Sequence, residues 1–169
     1  MYRVEPTKMK GEPMSDAEEI LRETRSILVI DWPSKDVPET LTKAGYDVFV
    51  KGGPANDDYS RYTLRDGRIV IDAALDRPAH ADLVYVHRPV EELPDIVALA
   101  ADVGARTIWL QSGRTADDTR DPTAYWMSVD SSAEARRTVE AAGLTYLDRP
   151  YIADGVRSLA KPGRPRTFD

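Results

Sequence analysis

The side chains able to hold or transform a ligand gather in four short stretches, each following an apolar run: Asp31-Trp32-Pro33-Ser34-Lys35-Asp36, Lys51-Gly52-Gly53-Pro54, His87-Arg88-Pro89 and Gln111-Ser112-Gly113. Their chemistry is that of anion recognition. Lys35 and Lys51 offer ammonium groups, Arg88 a planar fork matched to phosphate or carboxylate, and Ser34, Ser112 and Gln111 neutral donors. Gly52, Gly53 and Gly113 let a ligand come close to backbone N–H groups. Each stretch has a plainer reading as well. Asp36 and Glu39 fit a helix cap that would use the N–H groups a phosphate needs, and Asp31 puts a carboxylate where an anion is expected. Gly-Gly-Pro after Lys51 is a common turn, and Arg88 reads equally as a solvated arginine in its loop. His87 reads as a packed side chain, and a buried Gln111 needs partners that either a ligand or neighbouring backbone can supply.

Bond-breaking templates are missing. There is no Gly-x-Ser-x-Gly elbow, no Gly-x-x-x-x-Gly-Lys-Ser/Thr loop and no His-Glu-x-x-His helix. The chain has no cysteine and only two histidines, His80 and His87, which removes thiolate chemistry and leaves little for a histidine metal site. Asp57-Asp58 and Asp117-Asp118 with Asp121 read as solvated charge rather than metal ligands. No catalytic residue and no metal ligand is therefore assigned. An excess of 29 acidic over 23 basic residues, net charge −6, argues against broad nucleic-acid binding. The longest apolar run, Ile96 to Ala101, is far shorter than the roughly 20 residues of a membrane-spanning helix. The first residues lack the apolar region of a secretory signal, so a cytoplasmic location is expected.

The elements that must carry these stretches follow a repeated grammar. Helical segments end at Lys43-Ala44-Gly45, Asp102-Val103-Gly104 and Ala141-Ala142-Gly143, and an apolar run follows each. Glycine just past a helix takes the left-handed conformation without a Cβ penalty, so each triplet reads as a helix end feeding a strand. Ser15 with Glu18 forms a capping box that opens a helix over Asp16 to Thr24. Five parallel strands are predicted near Ile27, Val48, Val84, Ile108 and Tyr146, with crossover helices between most of them. Asp66-Gly67 between Tyr62–Arg65 and Arg68–Ile71 signals a hairpin at the sheet edge. Arg114 to Ser131 reads as a loop or a frayed short helix, and a last helix is expected near Ala133 to Ala142. Residues 1–14 read as a flexible arm, 15–157 as one α/β domain with helices on both sheet faces, and 158–169 as a basic flexible tail.

In such a sheet the ligand binds at the carboxyl ends of the strands, where strand order reverses, and the four stretches all fall there. The segments Ala44-Gly45-Tyr46-Asp47-Val48, Asp82 to Pro89, Ala105 to Gly113 and Ala141-Ala142-Gly143-Leu144 with Leu147-Asp148-Arg149 resemble the small stand-alone CoA-binding proteins. These are similar to the CoA-binding Rossmann domain of the succinyl-CoA synthetase alpha subunit. The resemblance runs from about Ser15 to Arg157 and is most specific over Asp82 to Gly113. It implies a five-stranded Rossmann-like domain that binds coenzyme A or an acyl-CoA without catalysis. By position it assigns Trp32 to Lys35, Lys51 to Pro54, His87 to Pro89, and Gln111 with Gly113 to the nucleotide; Ser112 joins them from its place in the same turn.

Departures from that pattern concern the ligand more than the core. Asp31 replaces a family glycine in a shortened first loop, Gly53-Pro54 replaces Asn-Pro, and Pro150 follows Arg149 where the family often has cysteine. The expected partner is a small-molecule nucleotide, with no nucleic acid and no membrane. The alternative is a degenerate fold that has lost the nucleotide and serves as a protein-interaction or regulatory module. The edge strands and the Arg61 to Asp72 excursion leave room for a homodimer or another protein partner.

Overall fold

The computed structural model describes residues 16–30, 36–52, 57–111 and 129–159. The apolar run Ser26–Ile30 forms β1 and is buried at every position, as a strand covered on both faces must be. After helix α2 (Asp36–Lys43), β2 (Asp47–Lys51) returns parallel to it. A hairpin follows, β3 (Tyr59–Arg65) and β4 (Arg68–Leu75). The chain then crosses to the other side of β1 as β5 (Leu83–Val86), and α3 (Leu93–Asp102), β6 (Thr107–Leu110), α4 (Val129–Ala141) and β7 (Thr145–Leu147) extend the parallel set. Helix α1 (Asp16–Glu23) precedes β1 and α5 (Ile152–Leu159) follows β7.

The strand order is β4-β3-β2-β1-β5-β6-β7, so the sheet has seven strands rather than the expected five. The five parallel strands lie where the sequence places them. The added pair is the hairpin, which bonds directly to β2 from Val48↔Tyr62 to Lys51↔Tyr59 and supplies partners for backbone groups at that edge. Its turn has the predicted chemistry, with Asp66 at φ 52° and Gly67 at φ 77°.

Alternation along the strands divides the core. Ile27, Val29, Leu83, Tyr85 and Trp109 face α1, α2 and α5 through Leu21, Leu41, Ile152 and Val156. Leu28, Ile30, Val84, Val86, Ile108 and Leu110 face α3 and α4 through Leu93, Ile96, Ala135 and Val139. Gly45, Gly104 and Gly143 are left-handed, with φ of 100°, 73° and 83°. At each of the three, the glycine N–H reaches back three residues and the next N–H reaches back five, as in Gly45 to Thr42 O (3.0 Å) and Tyr46 to Leu41 O (3.1 Å). These are Schellman ends, which satisfy the last carbonyls of each helix.

Three expectations need correction. The chain beyond Tyr151 is helical through Leu159, so the expected domain end at 157 falls inside α5, whose Ile152, Ala153, Val156 and Leu159 are buried. Helix α4 starts at Val129, inside the expected loop. Pro89, whose place after a strand reads as the first turn of a helix, instead precedes a 3-10 turn (Val90–Glu92) in an extended conformation, and Pro94 takes the first-turn place in α3. The expected arm and the Ser15 cap lie outside the described residues.

Candidate functional site

The order reverses at β1, whose successor β2 lies on one side and β5 on the other. That crevice, at the carboxyl ends, is where an open α/β sheet takes its ligand. Pairing continues one residue past the strands there. His87 N–H donates to Ile30 O at 3.1 Å and Gln111 N–H to Val86 O at 3.0 Å, so Ile30, His87 and Gln111 form a stepped rim across three neighbouring strands.

His87 is 4% exposed, in keeping with a packed imidazole. Gln111 is 5% exposed, and its Oε1 accepts a 2.7 Å hydrogen bond from the Tyr85 hydroxyl. A buried amide that met no donor would cost about 1–3 kcal/mol, so this bond fixes the amide's orientation at the rim. Tyr85 was not singled out by the sequence, although strand alternation puts Tyr85, Trp109 and Gln111 on one face.

Arg88 is half-buried and clasped by its own turn: Nε donates to Glu92 Oε1 at 2.9 Å, and Nη2 to Oε2. The Arg88 hydrogen bond is the main reason that the Glu92 carboxyl lies below the usual glutamate range. One edge of the fork expected to meet phosphate is therefore engaged by carboxylate, in a bidentate geometry that orients the guanidinium. The i,i+4 spacing of Arg88 and Glu92 was the available signal.

Lys51 ends β2 opposite Tyr59, with its ammonium 5.6 Å from the ring centroid. Gly52 N–H donates to Asp58 O at 2.9 Å, and a Cβ built on Gly52 would meet nothing closer than that same oxygen at 3.9 Å. Nothing in the described backbone demands glycine at 52.

Asp36 does not play the expected capping role. It is the first helical residue of α2, and its Oδ2 accepts from the Tyr151 hydroxyl (2.8 Å) while Oδ1 accepts from Arg157 Nη2 (3.0 Å). Burial pulls the Arg157 guanidinium down, but Asp36 and Asp154 outweigh it and hold the group above its ordinary value. Sequence reasoning missed this clasp because the basic residues at the end of the chain read as a tail, although Ile152, Val156 and Leu159 keep the helical period. Asp31, Trp32, Pro33, Ser34, Lys35, Gly53, Pro54, Ser112, Gly113, Asp117, Asp118 and Asp121 lie outside the described residues.

The opposite end of the sheet is organised around one carboxylate. Asp82 Oδ2 accepts from Arg25 N–H (2.9 Å) and Ser26 N–H (3.1 Å), while Oδ1 lies 2.8 Å from His80 Nε2. The Ser26 hydroxyl in turn accepts from Asp82 N–H at 3.0 Å. Burial pushes the Asp82 carboxyl up, and these hydrogen bonds with the His80 charge outweigh it, leaving the group below the usual aspartate range. A shallow polar depression lies beside it, lined by Glu23, Thr24, Arg106, Thr107 and Thr145.

Among the described residues no helix is long and apolar enough to cross a membrane. Comparison with solved structures finds the same fold in Prb, a protein redesigned for binding (20% identity, 89% of this chain and 95% of that one, TM-score 0.57). The cell-free ID.343 protein from Thermus thermophilus is also similar (20% identity, 86% of this chain and 99% of that one, TM-score 0.54). No curated protein compared with the chain matches it. Residues 29–154, which span the parallel sheet from β1 to β7 and the rim at its carboxyl ends, match the family described as CoA binding domain, and the chain belongs to that family.

Proposed function

We propose that this chain binds coenzyme A or an acyl-CoA at the carboxyl ends of β1, β2, β5 and β6 and performs no chemistry on it. The observation that carries the reading is the rim at the switch point. Ile30, His87 and Gln111 are locked in register there, and the chain leaves the sheet from that same end after β1, β2 and β6. An oriented amide, a guanidinium at the turn after β5 and an ammonium at the end of β2 are groups that recognise a nucleotide's phosphates and base without breaking bonds. Two features of the described side chains there support binding over catalysis: the His87 imidazole is buried, and the Glu92 carboxylate is engaged by Arg88.

Isothermal titration calorimetry with CoA, acetyl-CoA and NAD(P), at low and moderate salt, tests the reading. Micromolar binding of CoA or acetyl-CoA with none of NAD(P) is expected, and Gln111→Ala should weaken it. Absence of binding to all of them favours the second reading, a fold that has lost its nucleotide and contacts proteins instead. The Arg88 clasp and the engagement of Asp36 by α5 speak for that reading, because both tie charged side chains to the protein itself.

A further inference from the structure

We infer that β4 is a self-pairing edge, through which two copies of this chain join their sheets antiparallel about a two-fold axis at Val70. Among the described residues nothing pairs with the outer side of β4, which ends the sheet. Proteins ordinarily blunt such an edge with short strands, prolines, charged side chains or bulges. The stretch from Arg68 to Asp72 has no proline and no bulge, and its two charges, Arg68 and Asp72, are of opposite sign at its two ends. Its pairing with β3 is regular there, from Arg61↔Asp72 to Arg65↔Arg68, the irregularity between Tyr59 and Arg61 lies beyond it, and the left-handed Ala74 comes only afterwards.

The sequence of this stretch, Arg68-Ile69-Val70-Ile71-Asp72, is complementary to itself when reversed. With Val70 on the axis, Arg68 of one copy opposes Asp72 of the other, twice, and Ile69 opposes Ile71, twice. Alternation puts the two isoleucine pairs on the face that carries α2, and Val70 with both ion pairs on the other face. Opposite charges and apolar side chains directly across strands are the pairs that stabilise a sheet.

Within one chain the same residues are poorly served. Arg68 lies across from Arg65, and Asp72 lies across from Arg61, which is already bonded to Asp47 at 2.7 Å. Neither Arg68 nor Asp72 forms an ion pair among the described residues. Ile71 is 40% exposed and Leu64, beside Ile69 on the same face, is 46% exposed. A second copy supplies the missing opposite charge to Arg68 and Asp72 and covers Ile71.

Sedimentation velocity on the whole chain, from ten to two hundred micromolar, tests this. The expected species at the upper end has about twice the 18.9 kDa chain mass. Val70→Lys sets two ammonium groups against each other on the axis and should return the single-chain mass. Arg68→Asp and Asp72→Arg should each do the same, because each creates two like-charge pairs, while the double variant restores the dimer. These charge reversals lie at exposed positions, so they decide the matter even if Val70→Lys fails to fold. A wild-type chain that stays at single-chain mass throughout, or a dimer indifferent to both single reversals, overturns the inference. Hydrogen exchange gives a second readout: protection of amides 68–72 should rise with protein concentration, and protection independent of concentration contradicts self-pairing.

Discussion

The two ends of the parallel strands are built on different plans. At the amino end, the single carboxylate of Asp82 binds the backbone N–H groups of Arg25 and Ser26 and meets His80, so it joins β1 to β5 through bonds internal to the fold. At the carboxyl end, the strands are joined by backbone bonds from His87 and Gln111, and the side chains there bond to one another in local pairs, Gln111 with Tyr85 and Arg88 with Glu92. The difference teaches where sequence change is tolerated. A knot of charge satisfied by backbone cannot be altered without loss of stability, whereas a rim held by backbone can change its side chains and so its ligand.

The contrast can be broken by substitution. Asp82→Ala leaves two backbone donors without their acceptor, and should cost about 2–3 kcal/mol in urea or thermal unfolding. CoA affinity of the folded protein should not change. A loss of affinity would mean that the amino end takes part in the site. Tyr85→Phe removes the hydroxyl that orients Gln111, a loss of about 1 kcal/mol that should be accompanied by weaker CoA binding. Loss of stability without loss of affinity would take Gln111 out of the site.

Smaller effects sharpen the picture. Arg88→Ala should change stability by about 0.5 kcal/mol or less, since the pair with Glu92 is an i,i+4 contact near the surface, yet it should weaken CoA binding in calorimetry. Glu92→Gln releases the guanidinium and removes a negative charge from the rim, so the opposite change, tighter binding, is expected. If neither variant alters affinity, Arg88 only holds its own turn.

Acid should distinguish the ends most gently. The Asp82 and Glu92 carboxyls lie below their ordinary values in the folded chain, so each contributes stability that is complete above the unfolded value and is lost as pH falls through the folded one. Unfolding measured from pH 6 down to pH 3 should show this decline. Asp82→Ala should flatten it more than Glu92→Gln does, because the Asp82 side chain is 15% exposed against 43% for Glu92.

Most of the fold was legible because it obeys local rules. The three glycine helix ends, the Asp-Gly hairpin and the uninterrupted apolar strands each have one physical reading, and the parallel strands lie where those signals place them. What failed to show was longer in range. Helix α5 was hidden because the basic residues after Gly155 read as a tail, although Ile152, Val156 and Leu159 keep the helical period. Of the candidate ligand-binding residues, Lys51, His87, Arg88 and Gln111 lie at or just past strand ends, where the sequence puts them. It gave no sight of Tyr85, Glu92, Tyr151 or Arg157, the partners that decide how those groups and Asp36 are held. A donor's type and position can be read from a chain; which acceptor reaches it depends on packing.

The most direct test of which end binds is a CoA titration of the isotope-labelled chain followed by amide chemical shifts. The account predicts that shifts concentrate at Ile30, Lys51, Gly52, His87, Arg88 and Gln111, with Arg25, Asp82, Arg106 and Thr107 unmoved. Shifts concentrated around Asp82 and Arg106 instead would place the ligand at the amino end and contradict it.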